Sequence, residues 1–486
     1  MKIKNLLIIA TCATMLLSST LLTGCSEQES WDGSPIPSEV LTVPDAVEAD
    51  KPSDGVVQAC KDLLDGAFAA SEPVSPDELT YTVSDTGDFV TLTGYVGKRT
   101  TVVLPEQIDG VPVTALSADF SSLSNDGQEA DTEQTTVNPM HSVVALFIPD
   151  SVTKIDVGAL SECKKLETLR TPVVTCENAA YFGALFGAGS YEINAAAVPS
   201  VLEVLIVGGD VETIPDYAFY DCRITCVSLP ETVTAIGNFA FYGCRRLVYA
   251  NIEETATRTI GERAFTNCAA LRRLDLPETV TEIGFATLEG CASVERLTLP
   301  FVGGNKTENT YLGYLLGAKA YTLTGGFVPA SLAEIVLSDG CTAIPDNAFF
   351  ECTSIRRVTA PKGVTTIGRR AFYGCEKLGE ITLPDGVKTV GDDAFHGCIR
   401  MTSVTVGEGL ESIGIQAFMG CLSLGSVTLP ASVTAIPNAC FANCISLESV
   451  KADGVSSADS VGEEAYRNCE KLVAAPFLTA AAADKE

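Results

Sequence analysis

The chain has 486 residues and a formal net charge of −30, from 32 Lys and Arg against 62 Asp and Glu. This charge argues against nucleic acids and anionic membrane surfaces as partners, because both attract basic proteins. The two His, His141 and His396, are far apart, which argues against a His-rich metal site or a Ser-His-Asp site. By length alone we expect about three globular domains, and the 18 Cys suggest a disulfide scaffold or metal binding.

The first 24 residues predict an export signal. Two Lys precede an apolar run, as in the charged and hydrophobic regions of a signal peptide. The run ends Leu22-Thr23-Gly24-Cys25, which resembles the lipobox of bacterial lipoproteins. That resemblance implies cleavage before Cys25, lipidation of its thiol and an extracytoplasmic protein anchored at the bacterial cell surface. The alternative is a short transmembrane helix.

Residues 25–77 follow, rich in Pro, Ser and acidic residues, with a short amphipathic piece around 56–70. Such a composition buries little apolar surface, so we predict a flexible tether. The only Trp, Trp31, lies in this segment and is interpreted as a chance apolar residue of the linker.

Residues 78–475 form a repeat. The motif Ala-Phe-x-x-Cys recurs every 23 residues from Cys352 to Cys444, and at spacings of 22, 24 or 25 in most other places. Between the Cys positions run Leu-x-x-Val-x-Leu-Pro and then Val-x-x-Ile-Gly. The alternation in the first motif predicts a half-buried strand that ends at Pro. Phe and Cys are one helical turn apart, so both are expected to face the core.

These motifs, recurring together in phase, resemble the BspA-type leucine-rich repeat family of bacterial and protozoan surfaces. The resemblance covers roughly residues 100–475, with an entry segment from Leu79 to Val113. It implies an α+β repeat solenoid, a leucine-rich repeat rod of about 14 coils with short parallel strands and short helical turns. At about 4.8 Å between strands the rod would be on the order of 65 Å long. One elongated domain thus replaces the three globular ones, followed by a C-terminal tail at 476–486.

Insertions interrupt the repeat near residues 117–140, 172–200 and 300–330. The first is polar and acidic and predicts a flexible loop. The other two contain similar aromatic segments 130 residues apart, and the same offset relates Cys222 to Cys352. We interpret this offset as the duplication of a block of about 130 residues.

Most of the cysteines fall in one column of the repeat. Eleven occupy the motif position, where a Cys behaves as a small apolar residue, so we predict buried free thiols. Equivalent side chains on neighbouring coils point the same way, which would strain a disulfide. Spread along the rod without any CxxC motif, the column predicts no metal site. Local disulfides remain an alternative for Cys222/Cys226 and for Cys440/Cys444; the cysteines outside the column are Cys60, Cys176, Cys226, Cys341 and Cys440.

Two sets of residues are candidate contacts for a partner. At outward strand positions, Arg273, Arg296 and Arg357 are predicted to form a cluster beside Tyr249, suited to carboxylate or sulfate groups. The alternative is an ordinary solvated sheet. The second set is the aromatic residues of the insertions, for which the alternative is packing on their own coils: Tyr181, Phe182, Phe186, Tyr311, Tyr314 and Tyr321.

No catalytic constellation is evident in the sequence, and we predict that the protein is not an enzyme. His396 occupies a slot that other repeats fill with Tyr, Thr or Phe, and no pair of carboxylates is distinguished. The family resemblance implies a surface protein that binds host matrix or neighbouring-cell proteins, with adhesion as the outcome. A carbohydrate-binding surface lipoprotein is the alternative. No metal and no cofactor are expected, and membrane contact is expected through the lipid anchor only.

Overall fold

The computed structural model describes residues 54–68, 71–122 and 138–477. Several predicted features therefore lie outside the described residues: the signal segment 1–24, Cys25, Trp31, most of the first insertion (123–137) and most of the C-terminal tail (478–486).

The described chain is built mainly from short strands, whose bounds follow the repeat. They are β1 Leu79–Val83, β2 Val90–Tyr95, β3 Thr101–Val103, β4 Gln107–Ile108, β5 Val111–Leu116, β6 Ala145–Phe147, β7 Lys154–Ile155, β8 Thr168–Thr171, β9 Val204–Val207, β10 Thr213–Ile214, β11 Cys226–Ser228, β12 Ala235–Ile236, β13 Tyr249–Ala250, β14 Thr259–Ile260, β15 Arg273–Asp275, β16 Glu282–Ile283, β17 Arg296–Leu299, β18 Glu334–Leu337, β19 Ala343–Ile344, β20 Arg357–Thr359, β21 Thr366–Ile367, β22 Glu380–Thr382, β23 Thr389–Val390, β24 Ser403–Thr405, β25 Ser412–Ile413, β26 Ser426–Leu429 and β27 Ser449–Ala452.

Helices are few and, after the first, very short. The α-helices are α1 Asp54–Gly66, α2 Asn194–Ala197 and α3 Leu312–Leu315. The 3-10 helices are Pro76–Glu78, Pro139–Ser142, Phe182–Phe186, Tyr191–Ile193, Ile252–Glu254, Tyr321–Gly326 and Ala458–Ser460.

Equivalent strands of successive coils pair in parallel. One sheet has the order β13-β11-β9-β8-β6-β3, and a longer one has the order β15-β17-β18-β20-β22-β24-β26-β27. The register keeps repeat positions together, so that Ser426 pairs with Ser449. The predicted repeat solenoid of short parallel strands is confirmed, with about 15 turns. Each coil leaves one apolar side for the next coil to cover, which is why the array shares a single core.

The Val-x-x-Ile-Gly motif builds a second row of strands. It forms two four-stranded parallel sheets, β10-β12-β14-β16 and β19-β21-β23-β25. The Gly lets adjacent coils approach closely: a Cβ on Gly391 would lie 2.6 Å from the backbone nitrogen of Arg369. No real side chain tolerates that distance, so the motif requires Gly where the backbones of neighbouring coils meet.

The Phe of each Ala-Phe-x-x-Cys motif is buried, and the rings form two stacks, Phe219 to Phe265 and Phe349 to Phe441. The ring of Phe372 lies 5.2 Å from Phe349 and 5.1 Å from Phe395, and in both pairs the planes are nearly parallel. The backbone amide of Phe372 donates to the carbonyl oxygen of Ala394 in the next coil at 2.7 Å. The backbone ladder therefore sets the spacing at which the rings stack.

The described thiols of the Cys column are free, as predicted, and all are buried except Cys469, which is half-buried. Eight of the eleven column thiols reach back to the preceding coil, as Sγ of Cys375 does by donating to the carbonyl oxygen of Phe349 at 3.1 Å. Cys352 instead donates to Phe350 of its own coil. Burial raises the pKa of Cys163 and of Cys291 to about 12. The column is thus a ladder of neutral hydrogen-bonded thiols.

One disulfide joins distant parts of the described chain. Cys60 of α1 is bonded to Cys226 of β11, with 5.7 Å between their Cα atoms. Neither local pair considered from the sequence forms, because Cys226 is taken by Cys60 and both members of Cys440/Cys444 are free. The structure also differs from the predicted tether at 25–77, since α1 lies within that range and packs against the solenoid.

Candidate binding surfaces

The outward positions of the longer sheet carry the predicted Arg residues. The strand register places Arg273 beside Arg296, then Glu334 beside Arg296, and Arg357 on the other side of Glu334. Glu380 follows Arg357. The structure therefore brings two of the three Arg together and separates the third by a carboxylate. From Arg296 to Glu380 the charges alternate, so the surface is a row of mixed charge rather than a positive cluster.

Ion pairs within this charged row neutralise much of its positive charge. Arg273 is paired with Asp275 in the same strand. Glu334 lies 3.9 Å from Arg296 through one carboxylate oxygen and 3.9 Å from Arg357 through the other. The Arg357 side chain is 73% exposed, against 28% for Arg296. Arg357 is accordingly the most accessible cation of the row.

Glu334 is the site residue that sequence reasoning missed. Its coil follows the third insertion, so its strand lies outside the regular Cys spacing from which the outward positions were aligned. The strand itself was nevertheless visible in the sequence, since Glu334-Ile335-Val336-Leu337 alternates outward and inward positions like the other strands.

Tyr249 is not available as a surface contact. It is 2% exposed, because α1 covers it. Its hydroxyl donates to Glu253 at 2.8 Å, and the ammonium of Lys61 lies 5.1 Å from its ring centre. Burial, followed by the Glu253 carboxylate, raises its pKa well above the usual range. Tyr249 thus packs beneath a helix of its own chain.

The helix α1 holds this position by an apolar face, a covalent bond and charge. Val57 and Cys60 pack with Cys226 and Tyr249, at the three-residue spacing that places side chains on one face of a helix. Lys61 lies 3.2 Å from Glu253 and 3.8 Å from Glu254. The outward Cys and Tyr of β11 and β13 were the sequence signal for a covering element.

The aromatic residues of the second insertion pack within the insertion and against the next coil. Phe182 is fully buried, and its ring is tilted against Phe219 of the next coil at 5.2 Å, so it extends the Phe column. Phe186 is 4% exposed and lies edge-on to Phe182 at 5.5 Å. The hydroxyl of Tyr181 donates to the Ala188 carbonyl at 3.3 Å.

The third insertion repeats this arrangement 130 residues later. The hydroxyl of Tyr311 donates to the Ala318 carbonyl at 3.1 Å. Tyr314 lies edge-on to Phe285 at 5.3 Å, and Tyr321 edge-on to Phe350 at 5.4 Å. All six aromatic candidates thus make intramolecular contacts. Two are buried in the core, Phe182 and Phe186, and four are half-buried: Tyr181, Tyr311, Tyr314 and Tyr321.

Beyond Glu380 the exposed sheet face carries hydroxyl groups. Ser403 and Thr405 of β24 and Ser426 and Thr428 of β26 are exposed, and their strands pair in register. This face is flat and polar, and its hydroxyls donate and accept hydrogen bonds without charge.

The two His residues do not meet. Nε2 of His141 lies 2.9 Å from Glu162 on the surface, and Nδ1 of His396 lies 3.2 Å from Asp393. Burial alone would raise the pKa of Asp393, but hydrogen bonds from His396 and Arg370 lower it. Within residues 54–68, 71–122 and 138–477 there is no group of His, Cys, Asp and Glu that could hold a metal ion. In that same part of the chain no helix is long and apolar enough to cross a membrane.

Comparison with known proteins identifies the repeat. A family model described as "BspA type Leucine rich repeat region" matches residues 206–310 and 325–448 in six copies. A leucine-rich repeat protein from Bacteroides ovatus is 22% identical over 74% of this chain and 96% of its own, with a TM-score of 0.33. A leucine-rich cell surface protein from Faecalibacterium prausnitzii is 22% identical over 81% and 97%, with a TM-score of 0.29. The curated proteins contain no significant match.

Proposed function

We propose that this chain, a leucine-rich repeat protein of the BspA type, is a lipid-anchored bacterial surface protein that binds protein partners through its solenoid. Repeats of this type generally take part in protein binding, and stacked repeats present extended surfaces suited to it. The proposed outcome is adhesion to host matrix proteins or to neighbouring cells. We further propose that the protein has no enzymatic activity, since leucine-rich repeat solenoids are typically binding scaffolds.

The observation that carries this proposal is the exposed face of the longer sheet. Glu334, Arg357 and Glu380 offer charges of both signs, and the Ser and Thr side chains of β24 and β26 continue the surface. Alternating charge over a polar sheet suits a protein partner of complementary pattern, because charge complementarity supplies specificity.

A binding comparison tests the proposal. The full chain in mild detergent is applied to immobilised matrix proteins and to a glycan panel, and bound protein is quantified. We expect saturable binding to at least one protein surface. Binding confined to glycans would support the carbohydrate alternative, and no binding to either class would contradict both.

The contribution of the charged row is tested by Arg357→Glu, which places three carboxylates in succession. We expect affinity for the protein ligand to fall about 5- to 30-fold, the effect of losing about 1–2 kcal/mol at an interface. The matched control is Arg258→Glu, an exposed Arg just before β14 on the other row of strands. Equal binding by both variants and the parent would refute the role of Arg357. The triple change of Arg273, Arg296 and Arg357 to Glu extends the test to the whole row.

The anchor is tested separately with Cys25→Ala. Without the thiol that carries the lipid, we expect the protein to leave the membrane fraction, because stable anchoring needs several acyl chains. Cys12→Ala is the control, since Cys12 lies within the proposed signal segment. Retention of the Cys25→Ala protein in membranes would contradict the lipobox interpretation.

The carbohydrate alternative relied on the aromatic residues of the insertions. Phe182 and Phe186 are buried, and the hydroxyls of Tyr181 and Tyr311 are bonded to their own insertions. These contacts leave that alternative without a specific structural observation in its favour.

A further inference from the structure

A cluster of half-buried aromatic side chains lies beside the Ala-Phe-x-x-Cys turns of the solenoid. Tyr191 stacks on Tyr217 at 4.3 Å, and Tyr217 stacks on Phe239 of the next coil at 5.0 Å. A parallel row is formed by Tyr220 and Tyr242 at 5.0 Å. We call these five residues platform one. Ile193, two residues after Tyr191, is 47% exposed.

The duplicated block carries a second, related cluster. Tyr321 contacts Phe350 at 5.4 Å, Phe350 stacks on Tyr373 at 5.0 Å, and Tyr373 contacts His396 at 4.8 Å. We call these four residues platform two. Leu323 is 51% exposed and holds the place that Ile193 holds in platform one. Each platform thus begins at a short 3-10 helix near the end of an aromatic insertion.

The orientation of the rings decides which ligand class fits. The planes within the pairs Tyr220–Tyr242 and Phe350–Tyr373 are 7° and 5° apart, so each ring face covers its neighbour. All four rings are half-buried, so stacking leaves part of each ring edge exposed rather than a whole ring face. A sugar stacks on an open ring face, whereas ring edges, Tyr hydroxyls and exposed aliphatic groups are typical contacts of protein interfaces. The geometry therefore favours a polypeptide.

The charged side chains beside each platform indicate which kind of polypeptide fits. Asp221 directly follows Tyr220 and Glu192 directly follows Tyr191, so both carboxylates lie at platform one, with Arg245 close to Asp221. Beside platform two lie Glu351 and Glu376, both exposed, while Asp393 is paired with Arg370 and His396. Exposed carboxylates that form no ion pair among the described residues thus lie at both platforms, Glu192 at the first and Glu351 and Glu376 at the second. They suit a partner with basic side chains.

We infer that platforms one and two are two docking sites for polypeptide segments that combine basic and apolar side chains. Counted by coils in chain order, β11, β13, β15, β17, β18 and β20 are five steps apart, which places the sites about 24 Å apart. A partner with two such segments can occupy both at once, and this gains avidity without any new contact. The inference deepens the proposed function and rests on it, since it names where and what kind of protein segment is bound.

The probe is a phage-displayed library of random 12-residue peptides, panned on the full chain. Platform one is disabled by Ile193→Lys and platform two by Leu323→Lys, because an added cation repels a basic ligand at an exposed position. The control is Val473→Lys at a residue that is 82% exposed and belongs to neither platform. Thermal unfolding of all variants checks that the fold is retained.

We expect peptides rich in Lys or Arg with apolar residues, binding two per chain by calorimetry. Each single platform variant should bind one peptide per chain, and the double variant should bind none. The control variant should still bind two peptides per chain. A tandem peptide whose linker spans about 24 Å should bind at least 10-fold more tightly than a single copy, and this gain should vanish in either platform variant.

Enrichment of acidic peptides, or peptide binding that survives the double variant, would overturn the inference. Glycan binding that is lost in the platform variants would also overturn it. If the double variant still binds the immobilised matrix protein with the parent's affinity, the inference fails while the proposed function stands. If the parent binds no protein in either assay, the proposed function itself fails.

Discussion

The thiol column makes the solenoid sensitive to alkaline pH. Ten column thiols are fully buried: Cys163, Cys222, Cys244, Cys268, Cys291, Cys352, Cys375, Cys398, Cys421 and Cys444. Burial raises the pKa of each above the ordinary value of 9.0. Because the folded pKa is raised, this contribution to stability is fully present below pH 9 and is lost as the pH rises toward about 12.

The size of the effect follows from linkage. At pH 10, one unit above the ordinary pKa, ionisation of a thiol in the unfolded chain lowers the free energy of unfolding by about 1.4 kcal/mol. For ten thiols the sum is about 14 kcal/mol, comparable with the whole stability of an ordinary domain. We therefore expect the urea midpoint to be constant from pH 7 to 8 and to fall steeply between pH 9 and 10.

The assay is urea unfolding followed by circular dichroism, under argon with a metal chelator to limit thiol oxidation. A variant with Cys375→Ala, Cys398→Ala and Cys421→Ala is the comparison. Its loss of stability between pH 7 and 10 should be smaller than the parent's by about 4 kcal/mol, whatever its stability at pH 7. Tyr and Lys titrate in both proteins, so the difference isolates the thiols. Equal losses in parent and variant would refute the reasoning.

Two further predictions concern the disulfide and the Phe stack. Replacing Cys60 and Cys226 with Ala should release α1 from the sheet. Protease should then cleave within α1 faster and Tyr249 should become accessible to iodination, while the circular dichroism of the solenoid stays unchanged. Continued protection of Tyr249 from iodination would contradict this prediction. Phe372→Ala should lower the free energy of unfolding by about 3–5 kcal/mol, because it removes a fully buried ring. Phe327→Ala, at a position 41% exposed, should cost under about 0.5 kcal/mol, and similar losses for both would count against a packed stack.

The repeat was predictable because its physics is local. A 23-residue period, Pro at the strand end and Gly at the close approach are each visible within one coil, and Phe372 and Cys375 face inward for reasons of helical spacing alone. The candidate site was harder, because it depends on which coils are neighbours. One insertion hid Glu334, and its presence beside Arg357 changes a predicted positive cluster into a row of mixed charge.

The sequence did not predict that α1 covers the sheet, because the contact depends on a long-range disulfide. Cys226, the partner of Cys60, is 166 residues away, and connectivity over such distances cannot be deduced from spacing. The amphipathic piece and the outward Cys226 and Tyr249 were visible separately, but nothing in the sequence joins them. The insertion aromatics went inward because their backbones join the ladder, as the bond from the Phe182 amide to the Ala218 carbonyl at 2.8 Å illustrates.

The disulfide between Cys60 and Cys226 also determines how the molecule carries a mechanical load. If tension enters from the N-terminal side and leaves beyond Cys226, it passes through the sulfur bridge and bypasses the intervening coils. The 166 residues between the two cysteines could otherwise extend by about 600 Å. While the disulfide is intact this segment cannot extend, and the force acts on β11 and the coils that follow. Platform two, together with Phe239 and Tyr242 of platform one, follows Cys226 in the chain, whereas Tyr191, Tyr217 and Tyr220 precede it. Most of the proposed contact surface therefore lies in the segment that carries the load.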